Sequence, residues 1–370
     1  MNLFDDKKRV IKAKKRENNQ SMYDYLDISG LIEHKEIREF LNLSIHLYDQ
    51  DSQRRIINDI LKNKNSDEKF YSTCFELIVS YIFRKIGGYT LEPHPNLPNT
   101  NKKPDFLVKI SDTDEFYLEL VTIGEYNENQ INEIRKFIEK FHNISKSKNI
   151  ETVIMIKNIK GRDFSHDNIK ELYKEIREWW SINKNIPGEK LCKEFNENSI
   201  CFQIVEKDNF QTESLIDNVK FHTHFLDSIE KKSDKYGRLE LPFLIAVTFR
   251  PSIFSDGLEL LDTLIASCLY GGKIFDIQKK KEQQIKSFWE VFKQQKRNNH
   301  IGGILYFDSL IPERLKNFGY MLFLNDFSHK KLPSDLKDFL PYYYVIDENR
   351  AEKDSEPRRV GGLIVNARLL

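Results

Sequence analysis

The apolar positions in the first third of the chain change from helical spacing to strand spacing. From residue 23 to about 65 they recur every three or four positions and predict two helices. Residues 67–87 carry one continuous apolar stripe that ends at a Gly-Gly pair, which predicts a long helix with a glycine stop. Residues 105–110 and 116–123 are rich in Val, Ile, Leu and aromatic residues, and the polar segment between them predicts a hairpin.

The rest of the chain continues to alternate between the two patterns. Helical spacing predicts further helices, and dense β-branched or aromatic runs predict further strands. The predicted helices are 127–145, 166–182, 259–272 and a basic helix at 278–297, and the predicted strands are 151–159, 199–207, 241–249, 301–309 and 320–326. Elements in this order predict an α/β fold with a mixed central sheet flanked by helices.

The composition is typical of a folded protein of the cytosol. Hydrophobic residues make up 39% and aromatic residues 12% of the 370 positions, which supplies a packed core and excludes wholesale disorder. No apolar run is long enough for a membrane span or a signal peptide, so we expect a cytoplasmic protein. The four cysteines include no CxxC pair, and we expect them to be buried thiols.

The charges nearly cancel over the whole chain, but not in every segment. The 58 Lys and Arg residues against 57 Asp and Glu residues exclude a globally basic nucleic-acid binder. Residues 1–20 hold seven basic and three acidic side chains, and residues 278–297 hold seven and two. Each segment is able to contact a phosphate backbone or to serve as an ordinary solvated arm or helix, and the sequence leaves both interpretations open.

Three acidic residues occur where the predicted elements bring them together. Glu76 borders the apolar stripe of the long helix, Asp105 opens a strand, and Glu119 lies in the middle of the next strand across the hairpin. Side chains alternate between the two faces of a strand, and both faces around Glu119 are otherwise apolar. An ionised carboxylate is costly there unless a positive charge meets it. Three carboxylates in this arrangement favour a hard cation such as Mg²⁺.

The order of these acids resembles the PD-(D/E)xK nuclease superfamily, whose restriction-endonuclease-like core follows the order α–β–β–β–α–β. The matching residues are Glu76, Pro104-Asp105 and Glu119-Leu120-Val121, and the resemblance covers about residues 65–160. More narrowly, the segments FEL, GGYTLEPHPNLPNT, PDFLV and YLELVT are similar to a group of uncharacterised bacterial proteins with that core.

The resemblance implies a metal-dependent nuclease, an endonuclease that hydrolyses phosphodiester bonds. It implies that Asp105, Glu119 and the backbone carbonyl of Leu120 hold Mg²⁺ or Mn²⁺, and that Glu76 binds a second ion or positions the attacking water. The implied substrate is nucleic acid, with DNA favoured over RNA. The implied role is bacterial defence against phage or other foreign DNA, with a regulatory protein or a second copy of the chain as partner.

One position departs from the superfamily pattern. Val121 stands where a lysine usually orients or activates the attacking water, and Lys109 lies too far along its strand to replace that lysine. Some superfamily members carry the lysine on the following helix, where Lys136 and Lys140 are the candidates and Lys136 is nearer the hairpin. The alternative is a catalytically degenerate nuclease fold that binds nucleic acid or a partner protein without cleaving.

Three histidines also invite a functional interpretation. His94 lies in a Pro-rich turn and is able to approach a phosphate, although a structural role in the turn is the simpler interpretation. His222 and His224 are predicted on one face of a strand. Because no Cys or third His lies near them in the sequence, they do not predict a zinc site.

The predicted elements divide the chain into four parts. Residues 1–20 form a basic flexible arm, and residues 21–64 form a helical N-terminal cap. Residues 65–185 form the nuclease-like core, and residues 186–370 form a C-terminal α/β extension that continues or flanks the sheet.

Overall fold

The computed structural model of the chain consists of two compact units. Unit 1 contains residues 1–14, 22–123 and 221–370, and unit 2 contains residues 15–21 and 124–220. The structure describes residues 1–9, 16, 20–124, 133–134, 137–138, 140–141, 143–144, 150–160, 164–195, 198–206, 221–237, 239–249, 261–276, 281–285, 287–289, 298–308, 310–312, 315, 317–347, 350–353 and 360–361.

Four helices open unit 1. They are α1 (Met22–Ile28), α2 (Ile32–Ile45), α3 (Gln50–Lys62) and α4 (Asp67–Tyr81), and α4 continues into a π-helical turn at Ile82–Ile86. The sequence predicts two helices before residue 65, but the structure has three, because the backbone leaves helical geometry at Ser29 and Gly30. The predicted glycine stop is confirmed, because the helical turn ends at Ile86 and Gly88 has a φ angle of +74°.

A mixed sheet of eight strands forms the centre of unit 1. In spatial order the strands are β1 (Thr90–Pro93), β2 (Phe106–Lys109), β3 (Glu115–Ile123), β7 (Phe243–Phe249), β10 (Gly303–Phe307), β12 (Tyr320–Leu324), β13 (Tyr342–Asp347) and β14 (Arg350–Lys353). The strands β1, β2 and β3 form an antiparallel meander, and β7 then pairs in parallel with β3 on one side and β10 on the other. The predicted α/β fold with a mixed sheet flanked by helices is therefore confirmed.

The two faces of this sheet pack against different helices. On β3, Phe116 and Leu118 join the apolar cluster that includes buried residues of α1–α4. Tyr117 and Val121 point to the opposite face and join a second cluster with α6 (Phe221–Ser233) and α7 (Leu261–Tyr270). Every residue of β7 is buried, as expected of a strand covered on both faces.

Unit 2 has its own sheet and its own apolar core. Its antiparallel strands are β4 (Thr152–Lys160), β6 (Asn198–Glu206) and β5 (Lys190–Phe195), in that spatial order. The helix α5 (His166–Asn183) and the helical residues described between 133 and 144 contribute to the same core. Cys192 and Cys201 face each other across β5 and β6 and form a disulfide, so the expectation of free thiols is wrong for this pair.

Smaller elements complete unit 1. They are a two-stranded sheet of β8 (Gly272–Asp276) and β9 (Lys281–Ile285), another of β11 (Asn317–Phe318) and β15 (Val360–Gly361), and the short helix α8 (Leu336–Phe339). Among the described residues, no helix combines the length and the apolar character that crossing a membrane requires.

Both predicted basic segments need correction. The arm at 1–20 is not flexible where it is described: Phe4 is buried in the core, and Arg9 donates to the carboxylates of Asp5 and Asp27. Residues 281–285 form a strand instead of part of a helix at 278–297, because pairing with β8 supplies their backbone hydrogen bonds. The other basic residues of these segments lie mostly outside the described ranges.

Two further expectations change with the topology. His222 and His224 lie in α6 and not on a strand. The predicted boundary at residue 185 does not coincide with the compact units, because β3 pairs directly with β7 and the intervening residues up to 220 form unit 2. The strand at 152–160 consequently belongs to the sheet of unit 2 and not to the central sheet.

Candidate functional site

Glu119 is a fully buried carboxylate in the middle of β3. Its exposed fraction is 0%, and it shares a strand face with the apolar neighbours Tyr117 and Val121. The compensation that such a charge requires is present, since the Nζ atoms of Lys232 and Lys235 donate to Oε1 at 2.5 and 2.9 Å. Two ammonium groups therefore meet at one oxygen of a buried acid.

The two lysines come from the end of α6 and the turn that follows it. Lys232 is the penultimate residue of α6, and Lys235 lies two residues beyond its end. The topology explains their position, because α6 packs on β3 and leads into β7, the parallel neighbour of β3. About a third of each lysine side chain is exposed, 31% and 33% respectively, so the ammonium groups lie between the buried carboxylate and solvent.

Tyr236 contacts the other oxygen of the same carboxylate. Its hydroxyl donates to Oε2 of Glu119 and also lies 2.9 Å from the backbone carbonyl of Lys103. Burial, and then the charge of Glu119, raises the pKa of Tyr236, so this hydroxyl keeps its proton. The Nζ atom of Lys235 lies 4.7 Å from the centre of the tyrosine ring. Both oxygens of Glu119 are thus held by side chains from one short segment, residues 232–236.

Asp105 lies next to Glu119, where β2 and β3 separate. The ladder between these strands ends at the pair of Phe106 and Leu118, so Asp105 occupies the following position, opposite Glu119. Its Oδ2 atom accepts a hydrogen bond of 2.7 Å from the backbone N–H of Leu120. Burial, followed by the charge of Glu119, raises the pKa of Asp105 to about 6, although the Leu120 N–H and the two lysines oppose this change.

The backbone carbonyl of Leu120 points toward the same edge as Asp105. The N–H of Tyr117 donates to Pro242 on the β7 side, so the even-numbered residues of β3 direct their backbone groups toward β2. Because Leu120 lies beyond the last ladder pair with β2, its carbonyl reaches the gap between the two strands. The gap therefore collects the oxygens of Asp105 and Leu120 beside the carboxylate of Glu119.

Glu76 approaches this group from α4 and keeps partial solvent exposure. Burial, followed by the charge of Asp105, raises the pKa of Glu76 to about 8, while the charge of Arg55 opposes the change. The pKa of Asp105 rises in turn because of Glu119. The three acids named from the sequence are thus electrostatically coupled in the folded chain.

The oxygen donors match the chemistry of Mg²⁺ or Mn²⁺, but their geometry is not that of a closed metal cage. Among the described residues, no three His, Cys, Asp or Glu side chains form a group that could hold a metal ion. Glu119 is instead fully engaged by two ammonium groups and a hydroxyl. An ion in this place would require at least one of these contacts to open.

The lysines that contact Glu119 in the structure are Lys232 and Lys235. Lys136 lies outside the described residues, and Lys140 lies in unit 2, with its Nζ atom 5.9 Å from the centre of the Phe137 ring. Sequence reasoning missed Lys232, Lys235 and Tyr236. The available signal was the EKKSDKY segment at 230–236, which directly precedes the strongest buried-strand pattern of the C-terminal half.

Val121, which stands where the superfamily pattern has its lysine, is buried in the apolar cluster beneath α6 and α7. The positive charge near Glu119 comes instead from Lys232 and Lys235, more than a hundred residues further along the chain, at separations of 113 and 116 positions. No protein-family model, no curated protein and no solved structure matches this chain.

Proposed function

We propose that this protein is a metal-dependent nuclease that hydrolyses phosphodiester bonds of nucleic acid, with DNA as the favoured substrate. The observation that carries the proposal is the contact of two lysine ammonium groups with buried Glu119, next to Asp105 at the separation of β2 and β3. An acid pair with an ammonium group at its solvent side is the combination that the PD-(D/E)xK resemblance calls for. A role in defence against foreign DNA, with a regulatory partner, belongs to the same proposal.

The order of elements in unit 1 supports a restriction-endonuclease-like core. The helix α4 is followed by the meander β1–β2–β3, then by α6 and by β7, which is parallel to β3. This is the α–β–β–β–α–β order, with unit 2 placed between β3 and α6. In this interpretation α6 takes the place of the helix expected at 127–145, and Lys232 of α6 with Lys235 of the following turn takes the place of Lys136.

The residues of the gap have distinct roles in the proposed reaction. Asp105, Glu119 and the carbonyl of Leu120 would hold the ion, which when bound lowers the pKa of a water molecule and offsets negative charge on the phosphoryl group. Lys232 and Lys235 are partly exposed, so either can turn from Glu119 toward a phosphoryl oxygen and stabilise charge that develops there.

Glu76 and Tyr236 complete the set. A carboxyl group with a pKa of about 8 carries a proton at neutral pH and releases it just above, so Glu76 is suited to exchange a proton with the attacking water. Tyr236 fixes the orientation of Glu119 through Oε2, because its hydroxyl is buried and remains protonated.

The proposal is tested by cleavage of plasmid DNA with Mg²⁺ or Mn²⁺. Asp105→Asn, Glu119→Gln and the double substitution Lys232→Met/Lys235→Met should each reduce the rate by at least about 100-fold, as loss of a group acting on the reacting atoms does. The matched control is Lys109→Met/Glu115→Gln, which removes an ion pair of 3.2 Å from the far end of the same two strands. Equal cleavage by all variants would contradict the proposed nuclease activity. So would the absence of cleavage by the wild type with both metals.

A second candidate is a nuclease-like module that binds nucleic acid or a partner protein without cleaving. The observation in its favour is that both oxygens of Glu119 already accept hydrogen bonds from the chain itself. This candidate predicts DNA binding without cleavage, and a melting temperature that divalent metal does not raise, since a ligand that prefers the folded state must raise it.

A further inference from the structure

One oxygen of Glu119 is shared by two cations. The Nζ atoms of Lys232 and Lys235 lie 2.5 and 2.9 Å from Oε1, so both form direct ion pairs with the same atom. Two ammonium groups that meet at one atom repel each other, and this repulsion offsets part of their attraction to the carboxylate. Together they carry the charge of one divalent ion, which needs a single position at the same oxygen.

The neighbouring oxygens are those that a hard divalent ion prefers. Oδ2 of Asp105 accepts a hydrogen bond of 2.7 Å from the backbone N–H of Leu120, the residue that follows Glu119. An ion at Oε1 of Glu119 would therefore have a second carboxylate beside it, and carboxylates are the usual ligands of Mg²⁺ and Mn²⁺. The ion and the two ammonium groups carry the same sign of charge, so they compete for Oε1.

The lysine side chains are able to leave Oε1 without a change in the backbone. Lys232 and Lys235 are 31% and 33% exposed, and each ammonium group lies at the end of a flexible four-carbon stem. Lys235 also has a second contact, since its Nζ atom lies 4.7 Å from the centre of the Tyr236 ring. Tyr236 itself is buried and holds Oε2, so the carboxylate stays in place when the lysines turn away.

We propose that Lys232 and Lys235 are an exchangeable counter-charge, which occupies Oε1 of Glu119 in the free protein and is displaced when a divalent ion binds there. The inference rests on the proposed function for the identity of the ion. The lysine pair then lowers the affinity of the free protein for the ion. Once the ion is bound, two ammonium groups become available to a phosphodiester, so the binding of ion and phosphate is coupled.

Titration of the full-length protein with Mn²⁺ in the absence of nucleic acid tests the competition, with the free ion measured by electron paramagnetic resonance. Lys232→Met and Lys235→Met each remove one competing charge, so each should bind Mn²⁺ at least about fivefold more tightly than the wild type. Glu119→Gln should bind it at least about tenfold more weakly, because a carboxylate ligand is lost. Melting temperatures in EDTA establish that each variant is folded.

Lys231→Met is the matched control, since Lys231 is the exposed neighbour of Lys232 in α6. In about 0.15 M KCl, where salt screens exposed charges, its affinity for Mn²⁺ should stay within about twofold of the wild type. Labelling of the wild type with an amine-reactive ester gives a second readout, because contact with the carboxylate shields the lysine nitrogen from the reagent. Mg²⁺ should increase the labelling of Lys232 and Lys235 at least about threefold relative to Lys231, as more molecules have the pair open.

Unchanged labelling of the wild type overturns the exchange, whatever the variants do. So does Mn²⁺ affinity that is equal to or weaker than that of the wild type in folded Lys232→Met and Lys235→Met. An equal gain in Lys231→Met would show a general effect of surface charge and would also overturn it. Failure of the two proposals is distinguishable: cleavage of DNA without exchange removes the exchange alone, whereas exchange in a protein that never cleaves removes the nuclease alone.

Discussion

The carboxylate of Glu119 shows how one buried charge organises its surroundings. Both oxygens accept hydrogen bonds, from Lys232 and Lys235 at Oε1 and from Tyr236 at Oε2. All three donors lie within five consecutive residues, so a single turn at the end of α6 supplies the compensation. Removing one ammonium group leaves the other in place, and removing both leaves an uncompensated charge in an apolar core.

This redundancy predicts strongly non-additive stability effects. Lys232→Met and Lys235→Met should each cost little, whereas the double substitution should lower the free energy of unfolding by about 3 to 5 kcal/mol. The interaction energy from urea unfolding should be about 0.5 to 3 kcal/mol. In a Glu119→Gln background the same double substitution should lower the free energy of unfolding far less than it does in the wild-type background. Simple additivity in the wild-type background contradicts this account.

The raised pKa of Glu76 predicts that the free energy of unfolding changes with pH in the direction opposite to that expected for an ordinary ion-paired acid. Its pKa rises from 4.5 to about 8 on folding, so between these values the folded chain holds a proton that the unfolded chain has lost. The contribution of Glu76 to the free energy of unfolding must then fall as pH rises through this window. Glu76→Gln removes the effect.

The measurement is chemical unfolding of Glu76→Gln and wild type from about pH 5 to about pH 9. The stability of the variant relative to the wild type should increase with pH up to about 8 and then level off. Glu68→Gln, on the exposed surface of the same helix, serves as the control. A difference that does not change with pH would show that Glu76 keeps its ordinary pKa.

At the scale of elements, close packing between neighbouring strands fixes the sheet. Gly303 begins β10 and lies between β7 and β12. A Cβ atom on Gly303 would lie 2.9 Å from both a side-chain carbon of Leu332 and the carbonyl oxygen of Phe323. Because one of these neighbours is backbone of the adjacent strand, it cannot move aside without disturbing the sheet.

Gly303→Ala should therefore lower the free energy of unfolding by about 1 to 3 kcal/mol, the usual cost of overpacking. Gly319→Ala is the matched control, since its Cβ atom would meet only a carbon of Asp308 at an ordinary 3.8 Å. Thermal melting of the two variants compares them directly. Equal melting temperatures would show that the strands separate easily at Gly303.

The elements also show how far sequence reasoning reaches. The alternation along β3 correctly predicts that Glu119 is an isolated acid that needs a positive partner, since strand periodicity is a local property. The identity of that partner depends on the pairing of β3 with β7, which no local pattern encodes. The helix predicted over residues 281–285 is wrong for a related reason. Their polar sequence has no apolar periodicity, and pairing with β8 decides their conformation.

At the scale of the molecule, two units with separate apolar cores share one chain. The core of unit 2 consists of residues between 134 and 204, and the two clusters of unit 1 come from both sides of that segment. The disulfide between Cys192 and Cys201 lies in unit 2, whereas Cys74 and Cys268 are buried thiols in unit 1. Separate cores permit the units to differ in stability.

Reduction of the disulfide should destabilise unit 2 alone. Opening a crosslink between residues nine positions apart should cost roughly 2 to 3 kcal/mol. Hydrogen exchange with and without a phosphine reductant should show faster exchange in β5 and β6 and unchanged exchange in β3 and β7. The double substitution Cys192→Ser/Cys201→Ser should reproduce the reduced pattern, and faster exchange in both units would contradict their independence.

The separation of 113 residues between Glu119 and Lys232 has a consequence during synthesis. At about 5 to 20 residues per second, β3 leaves the ribosome roughly 6 to 23 seconds before the first of its lysines. Residues 124–220 of unit 2 are translated in that interval, so unit 2 has time to fold while β3 still lacks both its parallel neighbour and the cations for its acid. The nascent chain therefore acquires its acid site only after about two thirds of its length has been translated, when α6 and β7 have emerged.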